Sequence, residues 1–218
     1  VHISTDEVYG DIKKGERSNE QSQYRPSSPY SATKASADHL VKSYSRTYNL
    51  DTVISNCCNN FGPGQFPEKL IPTLIFNILN NNSLPIYGRG KNSREWIHVE
   101  DHCRGLFAIY KKGKSGESYN IGTGNNISNL NLTKLLLKIV SKKIKIGSKV
   151  KINFVKDRPG HDLRYALDSN KIVRMLKWKP SKKFKKGLEE TFNWYYKNHD
   201  FFNKFSRRKF FKRLGLKI

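Results

Sequence analysis

Val1-His2-Ile3-Ser4-Thr5-Asp6-Glu7-Val8-Tyr9-Gly10, followed by Tyr30-Ser31-Ala32-Thr33-Lys34, is the stretch on which the fold turns. Val1 to Ser4 has the look of the end of a short buried strand. Pro26 and Pro29 break the chain, and from Tyr30 to about Tyr48 the apolar residues Ala35, Leu40, Val41, Tyr44 and Tyr48 recur at helical spacing. Strand, break, helix is the opening of an α/β unit. The same stretch also gathers proton-handling groups: a hydroxyl, two adjacent carboxylates, and a phenol four residues ahead of an ammonium on one helix face.

Working outward, Thr52 to Cys58 reads as a buried strand that ends in the loop Asn59-Asn60-Phe61-Gly62-Pro63-Gly64. A helix is expected over Leu70 to Leu79 and a short strand over Leu84 to Tyr87. Glu117 to Gly122 is a further strand candidate, with a helix around Leu132 to Val140. Lys151 to Val155 alternates like a strand, and two helices close the body near Asn170 to Leu176 and Leu188 to Tyr196. Strands alternating with helices predict an α/β fold with a mainly parallel sheet.

Composition narrows the classes. Among 218 residues, 36% hydrophobic and 12% aromatic suit a folded core, and no apolar run approaches a membrane span. Cys57, Cys58 and Cys103 suit neither a disulfide framework nor zinc spacing, so no metal is expected and a reduced, cytoplasmic setting is the default. The net charge of +23 is lopsided: residues 1–110 carry 12 Lys/Arg against 11 Asp/Glu, and 111–218 carry 29 against 7. Such a basic half fits an anionic partner or a lysine-biased solvated surface, and no nucleic-acid motif accompanies it. The tail from Phe201 to Ile218 holds seven Lys/Arg and no acid, and its Phe pairs suggest an amphipathic helix.

The chemistry follows from residue types. An ammonium near a phenol favours the phenolate, so Lys34 is expected to lower the pKa of Tyr30 and make it a base for an alcohol proton. Neighbours on a strand face opposite ways, so Asp6 and Glu7 share one site only if the strand ends at Thr5. Two close carboxylates tend to split their pKa values, one staying protonated as acid and the other ionised as base.

Several long motifs, in order, then resemble one family: Ser4 to Gly10, Tyr30 to Ala35, Asn59 to Pro63, Gln65 to Pro72, Arg94 to His102 and Asp157 to Asp162. The chain is similar to the extended short-chain dehydrogenase/reductases of the NAD-dependent epimerase/dehydratase family, and within it to the nucleotide-sugar 4,6-dehydratases that act on dTDP-glucose. The resemblance implies the C-terminal part of a doubly wound Rossmann-type parallel sheet plus a smaller α/β substrate-binding domain. It implies oxidation at C4 of the sugar by NAD, loss of water across C5 and C6, and return of the hydride to C6. Tyr30 would take the 4-hydroxyl proton, Lys34 would also hold the nicotinamide ribose, and Thr5 would bind the 4-oxygen. Glu7 would remove the C5 proton and Asp6 would protonate the departing C6 hydroxyl.

Asn60 would touch NAD, and Asn59, Lys69, Leu70, Pro85, Tyr87, Arg94, Asn129, Arg158 and His161 would line the nucleotide-sugar pocket. Pro85 and Leu70 could equally serve packing alone. A homodimer through two helices, one carrying Tyr30, is implied as well. The expected organisation is 1–60 as catalytic portion interleaved with later segments, 61–200 as mainly substrate-binding, and 201–218 as basic tail. The family's glycine-rich phosphate-binding turn is not in this sequence, which opens at Val1 with Met175 as its only methionine. An N-terminally truncated chain is therefore expected. The competing readings are a sibling epimerase, decarboxylase or dehydratase for another nucleotide, and an inactive fragment whose basic half binds an anionic surface.

Overall fold

A computed structural model describes residues 1–205. They divide into two compact units. The first joins Val1–Asn60, Asn92–Ile127 and Asp162–Lys182; the second joins Phe61–Lys91, Ser128–His161 and the chain from Lys183 on. Residues 92–127 and 162–182 thus cluster with the first unit, inside the span 61–200 expected to be mainly substrate-binding. Of the basic tail, a 3-10 helix covers His199–Lys204, and the amphipathic helix expected beyond it lies outside the described residues. Among the described residues no helix is long and apolar enough to cross a membrane.

The first unit is built on a parallel sheet in the order β1 (His2–Thr5), β2 (Ile54–Cys57), β6 (Ser118–Ile121). The register sets Thr5 against Cys57 and Cys57 against Ile121. All four residues of β2 are buried, as a central parallel strand covered on both faces requires. Helix α1 (Pro29–Tyr48) packs on β1. It starts where the sequence dictates: Ser28 Oγ accepts from Ser31 N at 3.1 Å, Ser31 Oγ accepts from Ser28 N at 3.0 Å, and Pro29 takes the first turn.

β3 (Asn59–Phe61) extends where a loop was expected, and it joins β5 (Ser93–His98) and β7 (Asn126–Ser128) in a second sheet. Helix α3 (Val99–Lys112), unforeseen in the sequence, packs on β5, β2 and β6, and α5 (Asn170–Leu176) packs on β6. Phe107 and Tyr110 on α3 are exposed, while the polar Asp101 and His102 are buried. Val8, Tyr9, Cys58, Ile97, Ile109, Tyr119 and Trp178 form the unit's core.

The second unit pairs β4 (Leu84–Tyr87) with β8 (Ile152–Val155) in parallel, Tyr87 opposite Val155. Helices α2 (Leu70–Leu79), α4 (Asn129–Val140) and α6 (Phe184–Lys197) close over them, α6 against both α2 and α4. Leu74, Ile75, Leu136, Leu188 and Phe192 are fully buried there; each such side chain contributes roughly 1.5–3 kcal/mol relative to exposure.

Candidate active site

The strand ends at Thr5, and that single backbone event assembles the chemistry. Asp6–Tyr9 is a 3-10 turn, and Thr5 caps it, accepting from Glu7 N at 3.3 Å. Asp6 and Glu7 are thereby released from the alternation of the strand. Gly10 ends the turn at φ +73°, and a Cβ there would lie 2.1 Å from the Arg25 carbonyl oxygen. No other residue fits without displacing the segment around Arg25, whose N–H donates to Val8 O at 2.9 Å.

Asp6 is 3% exposed, and Thr5 Oγ1 donates to its Oδ1 at 3.3 Å. Burial first, then the charge of Glu7, pushes the carboxyl from 3.8 up to about 8; the nearby Arg94 guanidinium opposes this in part. At neutral pH Asp6 is therefore a protonated acid. Glu7 is only half-buried, so the paired carboxylates do stand in unlike environments.

Tyr30, the second residue of α1, is 54% exposed, and its phenol lies close enough to Thr5, Asp6 and Glu7 for all three to act on its proton. The structure so brings Thr5, Asp6, Glu7 and Tyr30 together. Lys34 behaves otherwise than expected. Its ammonium donates to the Ile3 carbonyl at 2.6 Å, and the Tyr30 phenol is pushed up, by burial and then by the charges of Glu7 and Cys57. Burial, with the Glu7 charge behind it, outweighs what the ammonium supplies at the phenol. Asn60 Nδ2 donates to the Cys58 carbonyl at 3.3 Å and approaches Cys57 Sγ at 3.5 Å, and Asn59 is half-buried at the start of β3.

Arg94 also belongs to the first unit, where its guanidinium is committed. It donates to the carbonyls of Ser93, Leu163 and Asp162 at 2.9, 3.2 and 2.8 Å, and lies 4.2 Å above the Tyr165 ring. The role implied for it, diphosphate binding, has to be met with its remaining donors.

The other substrate-pocket residues fall in the second unit, and three of them form a cluster at the ends of β4 and β8. The Arg158 guanidinium lies 5.3 Å over the Tyr87 ring, His161 packs edge-on to Tyr87 with centroids 6.2 Å apart, and His161 Nδ1 is 2.7 Å from Asp157 Oδ1. Burial pushes Asp157 up, but the bond from His161, the Arg158 backbone N–H and both charges outweigh it and hold the carboxyl low. Pro85 shares β4 with Tyr87 and is partly buried, as is Leu70. Lys69 precedes α2, exposed and paired with Glu68 at 3.0 Å. Asn129 opens α4; its neighbour Leu130 donates to the Gly90 carbonyl at 3.1 Å, in the turn after Tyr87.

Sequence reading assigned no role to Cys57, Tyr165 or Asp38. Burial, and then Asp6, pushes the Cys57 thiol up to about 12, so it is inert packing beside the acid. Tyr165 donates to Asp162 Oδ2 at 2.5 Å and supports Arg94 from below. Only Asp38 carried a signal in the sequence, its spacing of four residues beyond Lys34.

Known proteins resemble this chain in sequence and fold. The dTDP-glucose 4,6-dehydratase of Shigella flexneri is 49% identical over 210 residues, which cover 90% of this chain and 58% of that protein. The Neisseria gonorrhoeae enzyme of the same name is 50% identical over 204 residues, covering 90% and 59%. A crystal structure of the dTDP-glucose 4,6-dehydratase of Streptomyces venezuelae, with NAD bound, superposes with a TM-score of 0.88 at 45% identity over 93% of this chain and 61% of that one. A UDP-glucose 4-epimerase from Thermotoga maritima reaches 0.81 at 26% identity, over 90% and 63%. The chain thus spans about three fifths of the length of these relatives, and its α/β fold is Rossmann-type. The sequence profile described as GDP-mannose 4,6 dehydratase matches residues 1–191, and the chain belongs to that family.

Proposed function

We propose that the protein is an NAD-dependent nucleotide-sugar 4,6-dehydratase, a hydro-lyase that converts dTDP-glucose to dTDP-4-keto-6-deoxyglucose, a precursor of rhamnose-type deoxysugars. The observation that carries this reading is the Asp6-Glu7 pair, released together at a strand end beside Thr5 and Tyr30. Loss of water across C5 and C6 needs an acid and a base at once, beyond the base that takes the 4-hydroxyl proton, and 4-epimerisation needs no such pair. Asp6, held protonated at neutral pH by burial and by Glu7, would give its proton to the C6 hydroxyl as it leaves. Glu7 would take the C5 proton, acidified by the 4-ketone. Tyr30 would accept the 4-hydroxyl proton, and Thr5, near the Tyr30 phenol, would orient the oxygen.

The exposed Tyr30 phenol and the Lys34 ammonium, one turn apart, suit the hydroxyls of a nicotinamide ribose, with Asn60 close to the same strand end. NAD, when bound, would supply the hydride acceptor for C4 and the hydride donor for C6. In the second unit Tyr87, Arg158 and His161 offer an aromatic face, a guanidinium and an imidazole, suited to a base and a diphosphate, with Pro85, Leu70, Lys69 and Asn129 as further substrate contacts. In the first unit, Arg94 and Asn59 would be substrate contacts. Leu40, Tyr44 and Tyr48, all more than half exposed on α1, support a homodimer through that helix.

The test is a product assay. Incubated with dTDP-glucose and NAD, the natural protein should form a product that absorbs strongly in alkali, as 4-keto-6-deoxy sugars do. Conversion to an epimer with no alkaline absorbance would move the reading to the epimerases. Turnover of GDP-mannose in place of dTDP-glucose would reassign the nucleotide.

A further inference from the structure

Asp38 lies on α1 one turn beyond Lys34 and two beyond Tyr30, so the three side chains share a face. Its side chain is wholly buried, at 0% exposure. One carboxylate oxygen, Oδ2, accepts three hydrogen bonds: from Ser4 Oγ at 2.8 Å, Tyr24 OH at 2.9 Å and Asn56 Nδ2 at 3.3 Å. The other, Oδ1, faces His2 Nε2 at 3.1 Å, within ion-pair reach but out of line for a hydrogen bond. These partners come from β1, from the segment ahead of α1, and from β2. A buried carboxylate is costly unless donors converge on it, and here they converge from each element that frames the strand end.

The location gives the convergence its meaning. Ser4 is the residue before Thr5, and Asn56 also donates to the Thr5 carbonyl at 3.4 Å. Lys34 adds its own bond to Ile3 O on the same strand. We infer that Asp38 is a positioning residue, clamping Ser4 so that Thr5, Asp6 and Glu7 stand in register with the helix that carries Tyr30 and Lys34. Asp38 needs no contact with substrate to do so. Proximity catalysis is steep in distance: a displacement of about 1 Å costs on the order of a hundredfold. A slack strand end would therefore be felt in turnover before it is felt in binding. The kinetic side of this inference rests on the dehydratase reading; the geometric side does not.

The experiment uses Ser4→Ala, Asp38→Ala, their combination, and Asp38→Asn in the natural protein. It measures kcat and KM for dTDP-glucose, melting temperature, and amide hydrogen exchange at Thr5 to Glu7. Ser4→Ala removes one small hydroxyl and leaves Asp38 two donors. It should lower kcat about tenfold, keep KM within about twofold, shift melting by only a few degrees, and speed exchange at the strand end. Adding it to Asp38→Ala should cost nothing more, because both act through one bond. Asp38→Asn should recover most of the Asp38→Ala loss, since its amide oxygen can accept all three hydrogen bonds.

Full kcat and unchanged exchange in Ser4→Ala would overturn the inference, as would losses that multiply in the double variant. Should Asp38→Ala not fold, Ser4→Ala decides by the same readings. If the unaltered protein does not turn over dTDP-glucose, the functional reading fails, and exchange at Thr5 to Glu7 in Ser4→Ala alone decides the positioning role.

Discussion

Replacing Asp6 with asparagine should stabilise the protein near neutral pH while removing its activity, and the two effects share one cause. In the folded state the Asp6 carboxyl stays protonated to about pH 8, against 3.8 for the ordinary group; unfolding frees it to ionise. Below about pH 4 both states carry the proton and the group contributes its full stability. As pH rises from there to about 8 the unfolded state ionises alone, so stability falls steadily, and above 8 the loss is complete. With about 1.4 kcal/mol per unit, the three or so units between 3.8 and pH 7 set an upper bound of about 4 kcal/mol. Relaxation and water entry trim that, so a gain of roughly 1–4 kcal/mol for Asp6→Asn at pH 7 is expected. For a protein of this size that is a rise in melting temperature of a few degrees to about ten. Melting measured from pH 4 to 9 should show the variant gaining on the unaltered protein through the window and level above it. Turnover should drop about 10²–10⁴-fold, as expected for a lost general acid. A variant that follows the same pH slope as the unaltered protein would refute the burial argument, whatever its activity.

The remaining predictions follow from other parts of the structure. Tyr30→Phe should cut kcat by about 10²–10⁴ with KM for the nucleotide sugar nearly unchanged, measured by alkaline absorbance of the product; a variant retaining a third of the activity would remove Tyr30 as the base. Arg158→Ala and His161→Ala should each weaken dTDP binding about tenfold or more in calorimetry, since each takes away a donor beside Tyr87; unchanged affinity would dissociate this cluster from the nucleotide. Residues 1–218 by themselves should bind NAD weakly, because the sequence holds no glycine-rich turn for the diphosphate, and micromolar binding by calorimetry would contradict this. Leu40→Asp with Tyr44→Asp should convert a dimer to monomers in sedimentation; an unaltered dimer would place its interface elsewhere.

Much was legible from local pattern because local pattern has local causes. The helix over Leu70 to Leu79 is apolar but for Thr73 and Asn77 and ends in Asn80 and Asn81, and α1 begins at a Ser-Pro cap. Both boundaries are set by neighbours in sequence. The α4 start at Asn129, by contrast, was placed three residues late, because Ser128 caps it with a bond to Asn131 N that only the folded chain displays. Helix α3 inverts part of the usual pattern, with Phe107 and Tyr110 outward and Asp101 and His102 buried, and that partition exists only in the folded chain.

The sequence by itself determined the order of strands and helices, the family, and the inventory of reactive groups, since residue types and their spacing encode these directly. Only the tertiary structure decided what those groups are. Asp6 is an acid because it is buried, and burial depends on residues far away in the chain. The Lys34 ammonium commits one of its donors to Ile3 O, and Arg94 is spent largely on the carbonyls of Ser93, Asp162 and Leu163. Asp38 became a hub only when β1, β2 and Tyr24 closed around it. Protonation and hydrogen-bond commitment are properties of an environment, and an environment exists only once the chain has folded.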